Sequence, residues 1–375
     1  MENLKEVFSN KRLNELYLSF FLRTISFALV GLFIPVYLIQ AGYGIFDIAI
    51  FYLIMLGTAG VFIPFMLKLN CYIGVRKTMI LGSLLNVGYL YFLNLWSITG
   101  FAFYILPFMA GFSEAVYWSG YHLEYTRSAI KTKEAGGLSI LKILMILGGI
   151  IGPFLGSLII KYASFNTLFI TAAAIMFLSI FSLFASKDFK ANYTKMSIKG
   201  IINSGPKREA FAYQVDGARL IFSMIFWPVF VYLALKDIVL MGIIFSATSV
   251  ITMIATIYIG KKADEDPKRT LKAGLVVFSP LWIIRLFLLT PIGVFVVNFL
   301  NDISYTAIDL SFGKHVYKKA RNLKDPIDYF SFREINLLIG RAIMLIVAMI
   351  LLNLNWLFVV AAVVSIGYSA ILKEM

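Results

Sequence analysis

Residues 16–39 read LYLSFFLRTISFALVGLFIPVYLI and contain a single charged side chain, Arg23. A helix needs about 20 apolar residues to cross the hydrocarbon core of a bilayer, so this run is long enough to span one. Eleven further apolar runs follow it, near 45–67, 78–96, 99–123, 137–160, 166–186, 213–235, 238–259, 271–290, 292–313, 331–352 and 356–372. The sequence therefore predicts an all-α integral membrane protein with twelve transmembrane helices.

The composition agrees with this prediction. Of the 375 residues, 60% are hydrophobic and 14% are charged, whereas soluble globular domains have about 45–50% apolar and about 25% charged residues. Twelve spans of about 20 residues each use most of the chain. The remaining residues suffice for two tails and short loops, so a separate soluble domain is not expected.

The basic residues predict how the chain is oriented. Of 34 Lys and Arg residues, 26 lie in the tails and alternate loops of one side, and the opposite side has only Lys161 and Lys236. Because Lys and Arg favour cytoplasmic loops, both termini are predicted to be cytoplasmic, in the inner membrane of a prokaryote. The same distribution explains the net charge of +14, because basic residues on the cytoplasmic side face anionic lipid. A nucleic-acid partner is therefore not expected.

An internal repeat divides the chain. Matching residues recur at a nearly constant offset of 191 to 193, namely Pro35 and Pro228, Ser113 and Ser304, and Gly148 and Gly340. We therefore predict two pseudo-symmetric six-helix halves, residues 1–186 and 213–375, joined by a cytoplasmic linker at 187–212. Two halves in the same orientation imply a pseudo-two-fold axis along the membrane normal and a site between them.

Two loops show a related signature, Gly-x-x-x-Asp-x-x-Gly-x-Arg/Lys-Arg/Lys. The loop after span 8 contains Gly260, Asp264 and Arg269, with Pro267 in place of the later glycine. Through this signature the chain resembles the major facilitator superfamily, over essentially its whole length. The resemblance implies the fold of that superfamily, and it implies a conformational role for the loop.

The loop after span 2 departs from that signature. Gly74, Arg76 and Lys77 are present, but Cys71 stands where the acid belongs. The resemblance therefore implies an intact charge latch in the second half only. Since Cys71 is the only cysteine, neither a disulfide nor a cysteine-rich metal site is expected.

Span 5 contains the motif Gly148-Gly149-Ile150-Ile151-Gly152-Pro153-Phe154-Leu155-Gly156. It resembles a motif of the superfamily's exporters and antiporters, which would give Gly152 and Pro153 a conformational role. Small residues also allow membrane helices to pack closely, and the sequence does not separate these interpretations. Pro107 lies near the position where drug exporters have an arginine, so no subfamily is identified.

Two helices carry polar stripes on one face. The stripe of span 4 contains Glu114, Tyr117, Trp118 and Tyr121, and that of span 10 contains Asn298, Asp302, Tyr305 and Asp309. The resemblance implies that helices 1, 4, 7 and 10 line a central cavity. We predict that the three acids couple protons and that the other side chains bind substrate. The alternative is an interhelical hydrogen-bond network that only stabilises the bundle.

Several basic residues also lie within predicted spans, where charge is costly. Arg23 is expected to meet an acid such as Glu114 or Asp309, or an anionic group of the substrate. Arg341 is the other candidate to bind that anionic group. Asp216 and Arg219 are three residues apart and are predicted to pair. Arg285 lies close to the outer end of its span and is expected to snorkel to the interface.

Charged residues at the predicted cytoplasmic entrance suggest a gate. Lys142 and Glu334 occupy repeat-equivalent positions with opposite charges, and Arg333 precedes Glu334. We predict that Lys142 and Glu334 pair between the halves when the entrance closes.

The sequence contains no nucleotide-binding loop, zinc-protease motif or nucleophile elbow, so enzymatic chemistry is not expected. The predicted function is secondary active transport by alternating access, specifically proton-coupled export of a small amphipathic or aromatic solute. Uptake of a small organic solute, a lipid flippase, and a receptor or scaffold without transport activity are the alternatives. Protons, the solute and membrane lipid are the expected partners of a monomer without cofactor or metal.

Overall fold

The computed structural model describes residues 11–95, 102–129, 134–190, 201, 203–321 and 326–375. Most of the described residues are helical and none forms a strand, which confirms the predicted all-α class. Ten helices of the described chain are long and apolar enough to cross a membrane. The predicted spans near 99–123 and 271–290 coincide with helices that are not among these ten, so the count of twelve stays a prediction.

The chain forms two compact units. The first comprises Met1–Tyr37 and Phe51–Thr194, and the second comprises Leu38–Ile50 and Lys195–Met375. The helices up to the middle of the chain are α1 (Lys11–Gly31), α2 (Ile34–Gln40), α3 (Ile45–Tyr72), α4 (Val75–Leu95), α5 (Ala102–Ala129), α6 (Glu134–Tyr162) and α7 (Phe165–Phe181).

The second half of the chain continues with α8 (Lys207–Ile221), α9 (Trp227–Leu235), α10 (Ile238–Glu265), α11 (Pro267–Ile284), α12 (Pro291–Arg321), α13 (Pro326–Leu351) and α14 (Leu354–Ile366). Helix α8 begins inside the segment predicted to be the linker. The predicted boundaries at 187 and 212 stay predictions.

The repeat is visible as a helix interruption before each of two equivalent prolines. Helix α1 ends at Gly31 and α2 begins at Ile34, just before Pro35. A π-helical turn at Phe222–Phe226 separates α8 from α9, just before Pro228. Because proline lacks an N–H and crowds the preceding turn, a regular α-helix is disfavoured at both positions.

Helices α1 and α6 pack closely through glycine. A Cβ atom added to Gly148 would lie 2.6 Å from the Cγ2 atom of Thr24, and one added to Gly152 would collide with Ala28. Only glycine allows this approach. The close-packing interpretation of the span-5 motif is therefore confirmed, whereas a conformational role for Gly152 and Pro153 stays a prediction.

Candidate functional site

The first unit contains a buried arginine that meets an acid. Arg23 of α1 donates from Nη2 to Oε1 of Glu114 in α5, which is one of the two acids that the sequence analysis offered as its partner. The arginine side chain is 2% exposed and the glutamate side chain is 24% exposed. The ion pair therefore has one enclosed member and one that remains accessible.

Further donors surround the Glu114 carboxylate. Asn86 Nδ2 donates to Oε1 over 3.2 Å, and Trp118 Nε1 donates to Oε2 over 2.8 Å. The guanidinium carbon of Arg23 also lies 3.7 Å from the ring centroid of Tyr117, which is a cation–π distance. Helices α1, α4 and α5 thus position one ionisable carboxylate.

The aromatic residues of the α5 stripe divide into two groups. Tyr117 and Tyr121 are buried in a core with Leu16, Phe20 and other apolar residues of the same unit. Trp118 is partly exposed, and it contacts Glu114 directly. In this structure Trp118, rather than the two tyrosines, is the aromatic side chain available beside the acid.

The second unit contains a related cluster around Asp216. Arg219 donates to its Oδ1 atom over 3.0 Å, which confirms the predicted pair. The hydroxyl groups of Tyr305 and Tyr368 donate to the same oxygen over 3.1 and 2.6 Å. Arg219 lies 3.7 Å from the ring centroid of Tyr305. The contribution of Tyr368 was not predicted, because its position near the chain end gives no local signal.

The other residues of the α12 stripe differ in their surroundings. Asn298 is buried, accepts from Trp227 Nε1 over 2.9 Å and donates to Thr248 over 2.7 Å. This network joins three helices, as the stabilising interpretation expects. Asp302 is partly buried and Asp309 is exposed, so both carboxylates remain candidates for proton exchange.

The snorkelling prediction for Arg285 is wrong. Its side chain is buried, 1% exposed, with the guanidinium carbon 4.1 Å from the rings of both Trp227 and Trp282. Its Nε and Nη1 atoms have no hydrogen-bond partner among the described residues. Arg285 directly follows the last residue of α11, and the two indole rings beside it stabilise its cation.

The loop signature of the second half has exposed side chains. Asp264 pairs with Lys314 over 3.2 Å, and Arg269 is exposed. Asp266, at a variable position of the motif, caps α11 by accepting from the backbone N–H of Arg269 over 2.9 Å. A Cβ atom on Gly260 would have only Leu310 within 4.0 Å, so close packing does not require this glycine.

In the first half, an acid from a distant segment holds the corresponding loop. Asp188 accepts hydrogen bonds from the backbone N–H groups of Arg76 and Lys77, over 2.8 and 3.2 Å. Gly74, with φ of +105°, brings the backbone against this carboxylate. Cys71 is partly buried and its sulfur lies 3.9 Å from the carbonyl oxygen of Leu67. Asp188 therefore supplies the acid that the motif lacks.

The side chain of Arg76 forms an enclosed ion-pair network. It pairs with Glu15 and with Glu124, each over 2.8 Å. Glu124 also accepts from Arg12 over 2.7 Å. Arg76 is 1% exposed and Glu124 is 0% exposed. Arg76 belongs to the loop signature, but its contact with Glu124, 48 residues further along the chain, could not be predicted from the sequence.

The family comparison agrees with this architecture. The Major Facilitator Superfamily profile matches residues 16–323. The chain belongs to the major facilitator superfamily. This membership and the helical fold indicate a multi-pass membrane protein of transporter type, and not an enzyme.

Solved structures of two other transporters resemble the chain over nearly its whole length. A mutant of the nucleoside transporter NupG has a TM-score of 0.75 at 14% identity, covering 97% of this chain and 99% of that chain. The unmutated NupG structure has a TM-score of 0.72 at 16% identity, covering 97% and 98%. A POT family transporter in complex with a thioalcohol-conjugated peptide has a TM-score of 0.73 at 12% identity, covering 96% of each chain. Identities this low show the fold alone, and a search of curated proteins found no significant match.

The structure describes the residues of the predicted cytoplasmic gate only in part. Arg333 donates to the neighbouring carboxylate of Glu334, and Glu334 is exposed. The side chain of Lys142 lies outside the described residues. The pairing of Lys142 with Glu334 therefore stays a prediction.

Proposed function

We propose that this protein is a proton-coupled secondary transporter that exports a small amphipathic or aromatic solute by alternating access. Superfamily membership supports transport in general. The observation that carries the proposed coupling is the Arg23–Glu114 pair, with its accessible carboxylate. An ionisable residue within a membrane helix is costly unless it is paired or functional.

Protonation of Glu114 would change the contacts of this cluster. The ionised carboxylate accepts charge-assisted hydrogen bonds from Arg23, which are stronger than neutral ones. A proton on Glu114 would weaken this pairing and leave Arg23 with the ring of Tyr117. A state-dependent contact of this kind allows proton binding to shift a conformational equilibrium. Asp302 and Asp309 are proposed as additional proton acceptors in the second half.

The substrate is proposed to bear an apolar or aromatic body. Trp118 and Tyr305 are aromatic, partly exposed and adjacent to charged groups, and aromatic rings of this kind combine an apolar face with a polar edge. Lys142 of α6 and Arg333 and Glu334 of α13 are proposed to gate the path. The protein is proposed to act in the inner membrane with both termini in the cytoplasm.

Proton flux in proteoliposomes tests this proposal. Vesicles containing the full chain and an internal pH-sensitive dye are exposed to a panel of aromatic and amphipathic solutes, under pH gradients of either sign. We expect at least one solute to drive proton movement in wild-type vesicles. The gradient that supports accumulation distinguishes export from uptake.

The variant Glu114→Gln keeps the shape of the side chain and removes its proton exchange. We expect it to lose solute-driven proton flux while expressing and unfolding like the wild type. Glu265→Gln is the matched control, because Glu265 pairs with Lys262 at an exposed helix end, and it should transport normally. Wild-type flux in Glu114→Gln would remove the coupling proposal, and solute flux without proton movement would replace it with uncoupled transport.

A further inference from the structure

Arg341 differs from the other arginines enclosed by the helices. Arg23, Arg76 and Arg219 each pair with a carboxylate, and Arg285 lies between two indole rings. Arg341 forms no hydrogen bond or ion pair with any residue that the structure describes, and its Nε atom is enclosed without a partner. The residue as a whole remains partly exposed.

The position of Arg341 is fixed by a close helix crossing. A Cβ atom on Gly340 would collide with the backbone of Gln214, and one on Gly217 would collide with the carbonyl group of Leu337. Helices α8 and α13 therefore touch backbone to backbone immediately before Arg341. The side chain starts from a rigid part of the second unit, so its location does not depend on a mobile loop.

Arg341 also lies far from both ends of its helix. Since α13 runs from Pro326 to Leu351, the residue is about 22 Å from one end and about 15 Å from the other at 1.5 Å per residue. A guanidinium at such depth is costly unless it faces a protein interior or an aqueous cavity. Arg341 is such a guanidinium: it is partly exposed, lies far from both helix ends and has no hydrogen-bond acceptor among the residues that the structure describes.

The nearby carboxylates are already engaged. Oδ1 of Asp216 accepts from Arg219, Tyr305 and Tyr368, and Glu334 accepts from its neighbour Arg333. Arg219, Arg341 and Asp216 together therefore carry one net positive charge. One further anionic group would therefore neutralise the cluster.

We propose that Arg341 binds an anionic oxygen group, a carboxylate or a phosphate, of the transported solute. The planar guanidinium presents several N–H groups in a geometry that suits such an anion. Arg23 is the less suitable residue for this task, because its guanidinium is buried and paired with Glu114. This inference rests on the transport function proposed above and adds an acidic group to the substrate class.

Anion binding to the purified full chain tests the inference. Thermal unfolding is measured with sodium benzoate, sodium phosphate or the neutral analogue benzamide, at an ionic strength held constant with sodium chloride. A ligand that binds only the folded state raises the unfolding midpoint, and at a given concentration the tighter ligand raises it further. We expect benzoate or phosphate, but not benzamide, to raise the midpoint, and the two anions distinguish a carboxylate from a phosphate site.

Three variants locate the site. Arg341→Gln should bind the anion at least tenfold more weakly, because charge-assisted hydrogen bonds are lost. Arg341→Lys keeps the charge without the planar donors and should bind with intermediate affinity. Arg208→Gln is the control, since Arg208 is exposed and pairs with Glu374, and it should bind like the wild type.

Two results would overturn the inference: anion binding that survives unchanged in Arg341→Gln, or no anion-specific effect in the wild type. If Arg341→Gln does not fold, unaltered binding by Arg341→Lys would count equally against a role for the planar donors. The proton-flux assay separates the two proposals. If Arg341→Gln has wild-type solute-driven flux, the transport proposal holds and the anion site is refuted. If anion binding depends on Arg341 but no solute drives proton flux, the transport proposal is refuted instead.

Discussion

The Oδ1 atom of Asp188 accepts a 2.8 Å hydrogen bond from the backbone N–H of Arg76, across 112 residues of sequence. Asp188 follows the last helix of the first half, and Arg76 lies in the first turn of α4. The acid that the superfamily places in the loop itself is replaced here by Cys71. The loop of the first half is therefore held by a carboxylate from the beginning of the connecting segment.

Removing this carboxylate should destabilise the first half. Asp188→Ala leaves two N–H groups at the start of α4 without their acceptor, and loss of a helix cap costs about 0.5–2 kcal/mol. Thermal unfolding of the detergent-purified protein measures the change. Cys71→Ala is the control and should alter stability by less than about 0.5 kcal/mol. A larger loss in Cys71→Ala than in Asp188→Ala would show that the cysteine, and not the aspartate, holds this loop.

A much larger effect is expected at Arg76. Replacing it with methionine leaves the carboxylates of Glu15 and Glu124 enclosed with fewer compensating charges, and breaking a buried pair in this way costs about 3–5 kcal/mol. The yield of folded protein and the unfolding midpoint report the loss. Glu265→Gln, which removes an exposed pair with Lys262, should leave both unchanged. A wild-type midpoint in Arg76→Met would contradict the role assigned to the network.

Arg285 is as buried as Arg76, but we expect its replacement to change the stability very little. No carboxylate is hydrogen-bonded to it in the described structure, so Arg285→Met removes donors that lack acceptors and keeps apolar contact with Trp227 and Trp282. Replacing a buried charge with an apolar side chain of similar volume is often nearly neutral, so we expect a change of about 1 kcal/mol or less. The same unfolding assay applies. A loss as large as that of Arg76→Met would mean that the cation–π contacts stabilise the unit far more than expected.

The α1–α6 contact should respond to a single methyl group. Gly152→Ala places a Cβ atom against Ala28, and overpacking of this kind costs about 1–3 kcal/mol. Gly57→Ala is the matched control, since a Cβ atom there has no neighbour within 4 Å. Alanine is the better helix former, so Gly57→Ala should be neutral or stabilising by up to about 1 kcal/mol. Equal behaviour of the two variants would refute the close-packing role of Gly152.

Some side-chain contacts could be predicted because they depend on local spacing or on sparse charge. Asp216 and Arg219 are three residues apart in a helix, which places them on one face. Arg23 and Glu114 are far apart in sequence, but few acids lie in predicted spans. The cost of leaving an ionisable group unpaired in a membrane therefore restricted the choice of partner.

Other contacts could not be predicted, because neither local spacing nor the scarcity of charge limited the choice of partner. Tyr368 reaches Asp216 from 152 residues away, and Asp188 reaches Arg76 from the segment predicted to be a cytoplasmic linker. Arg285 was expected to point towards the interface, because its position near the end of a span does not reveal the indole rings beside it. Each of these contacts depends on which helix faces pack against each other, and the hydropathy of a sequence does not specify this packing.

The sequence alone determined that the chain is a helical membrane protein with an internal repeat. It also determined that few ionisable groups lie in its spans, because apolar length and periodicity are local properties. Only the tertiary structure decided which of those groups are paired, which are enclosed by aromatic rings, and that Arg341 remains without an acceptor among the described residues. These differences arise because pairing and burial depend on side chains brought together from distant helices, whose contacts are fixed by packing and not by neighbouring residues.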